Sequence, residues 1–130
     1  MAEWTFLDYL DERGTNPVQE WLHDKISVPV KAKAKIDRHL LQLAGTKLWV
    51  RPLASNLDGY PGIVEIRVRW ANIQYRILGF RGPMDRQFTL LYPALEQGDE
   101  FVPANAPTIA EDRMAIVKRD WSRTVEHRYS

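Results

Sequence analysis

The sequence predicts a single α+β domain, in which an antiparallel meander of β-strands carries helices packed on one face. Within residues 62–80, which read GIVEIRVRWANIQYRILGF, apolar and charged residues alternate from Val64 to Trp70. This alternation is typical of a strand with one buried and one solvated face. On either side of this stretch, apolar residues lie three and four positions apart, which is the spacing of amphipathic helices. The predicted order is β-α-α-β-β-β-α within one domain, 1–130.

The first strand and the first helix are predicted from the residues that begin and end them. A strand over residues 4–9 closes at residues 11–14, DERG, which favour a turn. The first helix begins at Asn16, a capping residue, with Pro17 at the first helical position. We expect this helix to stop near Lys25.

The second helix is predicted to begin around Ser27 and to end at Gly45, which fits a C-terminal cap. Its inward-facing apolar residues follow the helical period: Ala32, Ile36, Leu40 and Leu43. Residues 46–61 contain two prolines and a glycine, so we expect an irregular connection that leads into the sheet.

The strand pair is predicted to turn at residues 71–72, Ala-Asn, and this turn sets the register of the ladder. Arg67 then lies directly opposite Arg76, and Glu65 and Arg69 share their face. Like charges that face each other across a ladder are destabilising by roughly 0.2–1 kcal/mol. We therefore expect both arginines on an exposed sheet face away from the helices, where removing Arg76 would leave stability unchanged or slightly higher.

A further strand over residues 87–92 and a last helix complete the predicted order. Acidic residues follow that strand in a predicted loop: Glu96, Asp99 and Glu100. Thr108 and Glu111 have the spacing of a capping box. Apolar residues at helical spacing follow and predict a helix that extends well past Arg119: Ala110, Met114, Val117, Trp121 and Val125.

The composition excludes several classes of protein. Eighteen basic and seventeen acidic residues give a net charge of +1, so any nucleic-acid contact must come from a local patch. The absence of cysteine excludes disulfides and thiolate metal sites.

The three histidines have no metal-ligand spacing, and we expect surface or boundary positions for them: His23, His39 and His127. Without a signal peptide or an apolar run of membrane length, we expect a cytoplasmic protein without metal, cofactor or membrane contact.

The strand pair resembles the RelE/ParE toxin superfamily, and its phage-derived HigB-type branch most closely. The resemblance spans roughly residues 4–119, and its most specific part is the Gly62-x-x-Glu65-x-Arg67 motif followed by Tyr75-Arg76. It implies a RelE-like fold and the toxin component of a type II toxin–antitoxin system. Such a toxin cleaves mRNA in the ribosomal A site and is silenced by a cognate antitoxin, here expected to be a helix-turn-helix protein. The oligomeric state is not predicted.

The resemblance also implies roles for the charged residues of the sheet. Cleavage needs a base for the ribose 2′-hydroxyl, cations for the phosphate and a proton donor for the leaving oxygen. Glu65 is the implied base, Arg67 and Arg76 hold the phosphate, and Tyr92 is an orienting group or acid. Further RNA contacts are predicted from the strand and from one face of the second helix: Arg69, Lys31, Lys35 and Arg38.

Three alternatives stay open. Members of the branch commonly carry histidine at the position of Tyr92, followed by Gly-Phe and two lysines, whereas residues 92–100 here read YPALEQGDE. This difference favours a non-catalytic inhibitor on the same fold, like the ParE toxins that poison DNA gyrase, or a phage-related protein that has lost RNA cleavage. The third alternative is that the charged residues form only a salt-bridge cluster on a solvated sheet.

Overall fold

A seven-stranded mixed sheet forms the centre of the computed structural model, which describes residues 3–129. The strands are β1 (Thr5–Tyr9), β2 (Ala54–Asn56), β3 (Val64–Trp70), β4 (Ile73–Arg81), β5 (Gln87–Gln97), β6 (Glu100–Val102) and β7 (Thr124–Glu126). The helices are α1 (Pro17–His23), α2 (Val30–Ala44) and α3 (Ala106–Arg119), followed by a single 3₁₀ turn, Trp121–Arg123. The strand order is β2-β3-β4-β5-β1-β7, and β6 pairs with β5 outside this path.

The predicted α+β class is confirmed, and so is the antiparallel meander of β3, β4 and β5. The sheet as a whole is mixed, because β1 lies parallel to β5. It also has three strands that were not predicted. One of them, β2, lies within residues 46–61, where an irregular connection was expected, and it pairs with the first half of β3.

The predicted hairpin register is confirmed at every paired position. Arg67 lies opposite Arg76, and Trp70 lies opposite Ile73. The turn residues Ala71 and Asn72 have φ angles of 49° and 64°. Two successive left-handed residues form the tight turn that matches the right-handed twist of the strands. The turn and the alternation of the strands therefore specify the same register.

Helices α1 and α2 cover one face of the sheet. The Asn16 side chain accepts a hydrogen bond from the Gln19 backbone N–H over 3.0 Å, so the predicted cap of α1 is confirmed. Helix α1 ends at His23, two residues before the predicted end. Helix α2 begins at Val30 rather than around Ser27, because Pro29, with ψ 152°, is non-helical and forms its N-cap. All four predicted inward-facing residues of α2 are buried: Ala32, Ile36, Leu40 and Leu43.

Helix α3 covers part of the opposite face, so the prediction of helices on one face only is wrong. Leu78, Phe80 and Leu91 from the sheet form a buried cluster with Ala110 and Val117 of α3. The physical reason lies in β4, where Arg76, Leu78 and Phe80 point to the same side. The arginine-bearing face becomes apolar within two residues, and that apolar surface is stabilised by burial beneath a helix.

The chain after the third meander strand also differs from the prediction. Strand β5 continues past Tyr92 and Pro93 to Gln97, so Glu96 lies in a strand rather than in a loop. Glu100 lies in β6, so of the three acidic residues only Asp99 lies in the turn between these two strands. Pro93 is tolerated because β5 pairs with β1 only up to Leu90 and with β6 only from Leu95. No ladder on that edge requires its missing N–H.

The last helix is shorter than predicted. It begins at Ala106 with Pro107 in its first turn, and it ends at Arg119. Asp120 is extended, with φ −146°, and its side chain accepts a hydrogen bond from the Ser122 backbone N–H. Such a side chain competes with helix continuation, and the chain returns as β7 beside β1. Among the described residues, no helix is long and apolar enough to span a bilayer.

Candidate functional site

Four charged side chains meet on strands β3, β4 and β5. Glu65 Oε1 lies 3.4 Å from Arg67 Nε and 3.4 Å from Arg76 Nε. Glu96 Oε1 lies 3.3 Å from the same Arg76 Nε. The structure thus brings together three of the predicted site residues and adds Glu96, which was expected in a loop. We call these four residues the ion-pair cluster.

Arg76 is buried, so the prediction of an exposed arginine pair is wrong for this residue. Its side chain is 3% exposed, whereas that of Arg67 is 31% exposed. Arg76 Nη1 donates to the Tyr75 carbonyl over 3.0 Å, and Nη2 donates to the Gln74 side-chain carbonyl. Two carboxylates, those of Glu65 and Glu96, offset the predicted repulsion between the arginines. Glu96 reaches the cluster because β5 pairs with β4 on the side away from β3.

Burial raises the pKa of the Glu65 carboxyl above its ordinary value. Arg67 and Arg76 favour the carboxylate and oppose this shift, and the negative charge of Glu96 adds to it. A carboxylate with a raised pKa is a stronger base than an exposed one, which is the property a general base requires. Among residues 3–129, however, the charged groups in short contact with this carboxylate are the two arginines.

Beside the cluster, a groove of about 430 Å³ lies between α2 and the second half of β3. It lies next to the first residue of β2, Ala54, which pairs with Ile66, and a Lys35 Nζ hydrogen bond to the Arg69 carbonyl oxygen joins its two walls. The groove is lined by Lys35, His39, Pro52, Leu53, Arg67, Val68, Arg69, Gln74 and Arg76. Four cationic side chains therefore share one groove, and two of them, Lys35 and Arg69, were predicted as RNA contacts.

Four predicted site residues lie outside this groove, and one of them, Glu65, belongs to the ion-pair cluster beside it. Lys31 and Arg38 are exposed elsewhere on α2. The ring of Tyr92 packs against the Arg113 guanidinium, with 5.0 Å between the ring centre and Cζ. Tyr92 shares a cross-strand row with Glu65, but Leu78 lies between them and is fully buried beneath α3. The structure therefore does not bring the predicted acid to the predicted base.

His39 is a groove residue that the sequence analysis did not select. Its Nε2 lies 3.1 Å from the Leu53 carbonyl oxygen. Burial lowers the pKa of His39, the hydrogen bond to Leu53 opposes this shift, and the charge of Lys35 adds to it. The net effect favours the neutral imidazole. The spacing of Lys35 and His39, one helical turn apart, was the signal available in the sequence.

His127 is buried, so its predicted surface or boundary position is wrong. Its Nδ1 donates to Asp8 Oδ1 over 2.8 Å, and its Nε2 lies 3.9 Å from Asp37 Oδ1. Burial disfavours the imidazolium, but the carboxylates of Asp37 and Asp8 outweigh it and raise the pKa of His127. Despite this cluster, no group of three or more potential ligands within residues 3–129 is arranged to hold a metal ion.

Comparison with known proteins adds no relative to this description. No family model matches the chain, no curated protein matches it, and no solved structure matches it. The resemblance to RelE/ParE toxins therefore depends on the motif residues of the strand pair. The geometry of the groove and of the ion-pair cluster carries the functional argument.

Proposed function

We propose that this chain is the toxin component of a type II toxin–antitoxin system and acts as a ribosome-dependent mRNA endoribonuclease. The observation that carries the proposal is the groove, in which Lys35, Arg67, Arg69 and Arg76 converge. With the carboxylates of Glu65 and Glu96 counted, this region keeps a net charge of +2, four cations against two anions. Phosphate contacts by such cations supply most nucleic-acid affinity.

In the proposed reaction, the ribose 2′-oxygen attacks the adjacent phosphorus after a base removes its proton. The bond from phosphorus to the 5′-oxygen breaks, and the products are a 2′,3′-cyclic phosphate and a 5′-hydroxyl. Arg67, the more exposed arginine of the cluster, stabilises the charge that develops on the phosphate. Because Tyr92 packs on Arg113 outside the groove, the leaving oxygen takes its proton from water.

A specific observation favours a second candidate, a non-catalytic inhibitor on the same fold, such as a gyrase poison. Arg76 is engaged by Glu65, Glu96, Gln74 and the Tyr75 carbonyl, and this arrangement resembles a structural ion pair more than an open phosphate clamp. A phage-related protein that has lost cleavage would have the same arrangement. In these two cases the groove would bind a partner or an anion without reaction.

The proposal is tested by inducing the chain alone in a bacterium and measuring growth, ribosome-dependent cleavage of mRNA and gyrase activity. We expect growth arrest, relief by the small protein encoded beside the gene, and cleavage that Arg67→Ala weakens. Glu111→Gln, on α3, is the matched control on a surface away from the groove. Arrest with intact mRNA and inhibited supercoiling would identify the gyrase-type inhibitor. Normal growth at high levels of folded protein would contradict both toxin functions.

A further inference from the structure

We propose that His39, on helix α2, is the general base of the groove and accepts the proton of the attacking 2′-hydroxyl. This inference rests on the proposed RNA cleavage and replaces the base that the sequence analysis implied. Glu65 contacts Arg67 and Arg76 and does not line the groove, whereas His39 does. Glu65 then serves to hold the two arginines in place.

The hydrogen bond to Leu53 determines which nitrogen of His39 is basic. A carbonyl oxygen only accepts hydrogen bonds, so the Nε2 that lies 3.1 Å from it carries the hydrogen. In a neutral imidazole the other nitrogen, Nδ1, then has the free lone pair. Within residues 3–129, the His39 ring makes one hydrogen bond, which is that to Leu53. The lone pair is therefore available to a groove ligand.

The elements that surround His39 keep its position and its charge state. The backbone of α2 sets Lys35 one turn before His39, and Lys35 is tied to β3 through the Arg69 carbonyl. The Leu53 backbone is tied to β3 in turn, since its carbonyl also accepts from the Arg67 N–H over 3.0 Å. Burial and the nearby cation keep the ring neutral, and a neutral ring is the form that accepts a proton.

The proposed step transfers one proton and exchanges one phosphorus–oxygen bond for another. The O–H bond of the 2′-hydroxyl breaks, its proton moves to His39 Nδ1, and the oxygen forms the new bond to phosphorus. The bond between phosphorus and the 5′-oxygen breaks, and the 5′-oxygen takes a proton from water. The imidazolium then returns its proton to water, so no other reactant is consumed. Arg67 and Arg69 lie on the opposite wall of the groove, where the phosphate charge develops.

His39→Gln tests the assignment, because glutamine can still donate to the Leu53 carbonyl but has no basic nitrogen. We expect cleavage by His39→Gln to fall about 10²-fold or more, the scale of general base catalysis, and the acidic limb of its pH–rate profile to disappear. In His39→Ala, added imidazole should restore part of the activity. His23→Gln, on α1 outside the groove, is the control and should keep the activity and pH profile of the wild type.

A binding measurement separates this inference from the proposed function. In ¹⁵N NMR spectra of the wild type, we expect an unprotonated Nδ1 that shifts when a 2′-deoxy oligonucleotide or inorganic phosphate is added. Full cleavage by His39→Gln, with loss of cleavage in Glu65→Gln, would overturn the role of His39 and leave the proposed function standing. An Nδ1 that carries the hydrogen would also overturn it. Absence of cleavage by the wild type would refute the proposed catalysis and this inference together.

Discussion

Replacing Arg76 by methionine tests whether the ion-pair cluster stabilises the fold. Methionine keeps most of the apolar volume but leaves Glu65 and Glu96 without their shared cation. Breaking a buried ion pair by removing one partner costs about 3–5 kcal/mol, because the remaining charge stays buried. The side chains of Arg76, Glu65 and Glu96 are 3%, 9% and 22% exposed. Arg67 remains 3.4 Å from Glu65, and Glu96 can rehydrate, so we expect the lower end, about 3 kcal/mol.

The free energy of unfolding is measured by urea denaturation, with the fluorescence of the five tryptophans as the signal. Arg67→Met is the matched control, since that side chain is 31% exposed and a partly exposed pair contributes up to about 1 kcal/mol. A double-mutant cycle with Glu65→Gln isolates the pair energy, and we expect the two changes to be less than additive.

If Arg76→Met loses no more stability than Arg67→Met, the ion-pair cluster does not stabilise the fold. That outcome would restore the interpretation drawn from the sequence, in which two facing arginines repel each other and Arg76 is kept for a ligand. A gain in stability would support the same interpretation more strongly, because strain retained in a fold is typical of functional sites.

Three other contacts have effects on stability or titration that can be measured. Because the pKa of His127 is raised in the folded protein, its protonation contributes stability that is complete below pH 6.5, the ordinary histidine pKa. This stability is lost as the pH rises through the pKa of His127 in the folded protein. His127→Gln should therefore flatten the decline in unfolding free energy above pH 6.5. Removing a negative neighbour by Glu96→Gln should lower the pKa of Glu65, measured by ¹³C NMR titration, and Glu100→Gln should not. Asn16→Ala should cost about 1 kcal/mol as a lost cap. Asn16→Asp should cost more stability than Asn16→Ala, although aspartate caps helices better than alanine does. Nδ2 of Asn16 donates to the buried carboxylate of Asp8, and a second carboxylate there would repel it. Equal losses of stability in the two variants would contradict this.

The elements whose signals are local were predicted well. Asn16 caps α1 and the 71–72 turn sets the register, because each depends on residues within a few positions of one another. The Arg67–Arg76 pairing followed directly from that register. The surroundings of the pair were not local: Glu96 reaches Arg76 only because β5 extends beyond Tyr92. A pattern within one hairpin carries no information on the next strand.

The covered second face and the end of the last helix show the same limit. Leu78 and Phe80 share the face of Arg76, and this pattern was a signal in the sequence that the arginine face becomes apolar. The helical spacing that ran to Val125 did not detect that Asp120 ends the helix. His127 and Asp8 are 119 positions apart, and a contact at that separation leaves no periodicity to read.

The place of β7 has a consequence for the order in which the chain matures during synthesis. Strand β1 is made before the strands that lie beside it, β5 and β7, and Asp8 can bind the His127 imidazole only after residue 127 has been made. Long-range pairing of this kind forms late and slowly. A growing chain on the ribosome therefore lacks the parts that complete its first strand. Removing β7 and His127 should therefore uncover the edge of β1 and leave Asp8 without its imidazole partner.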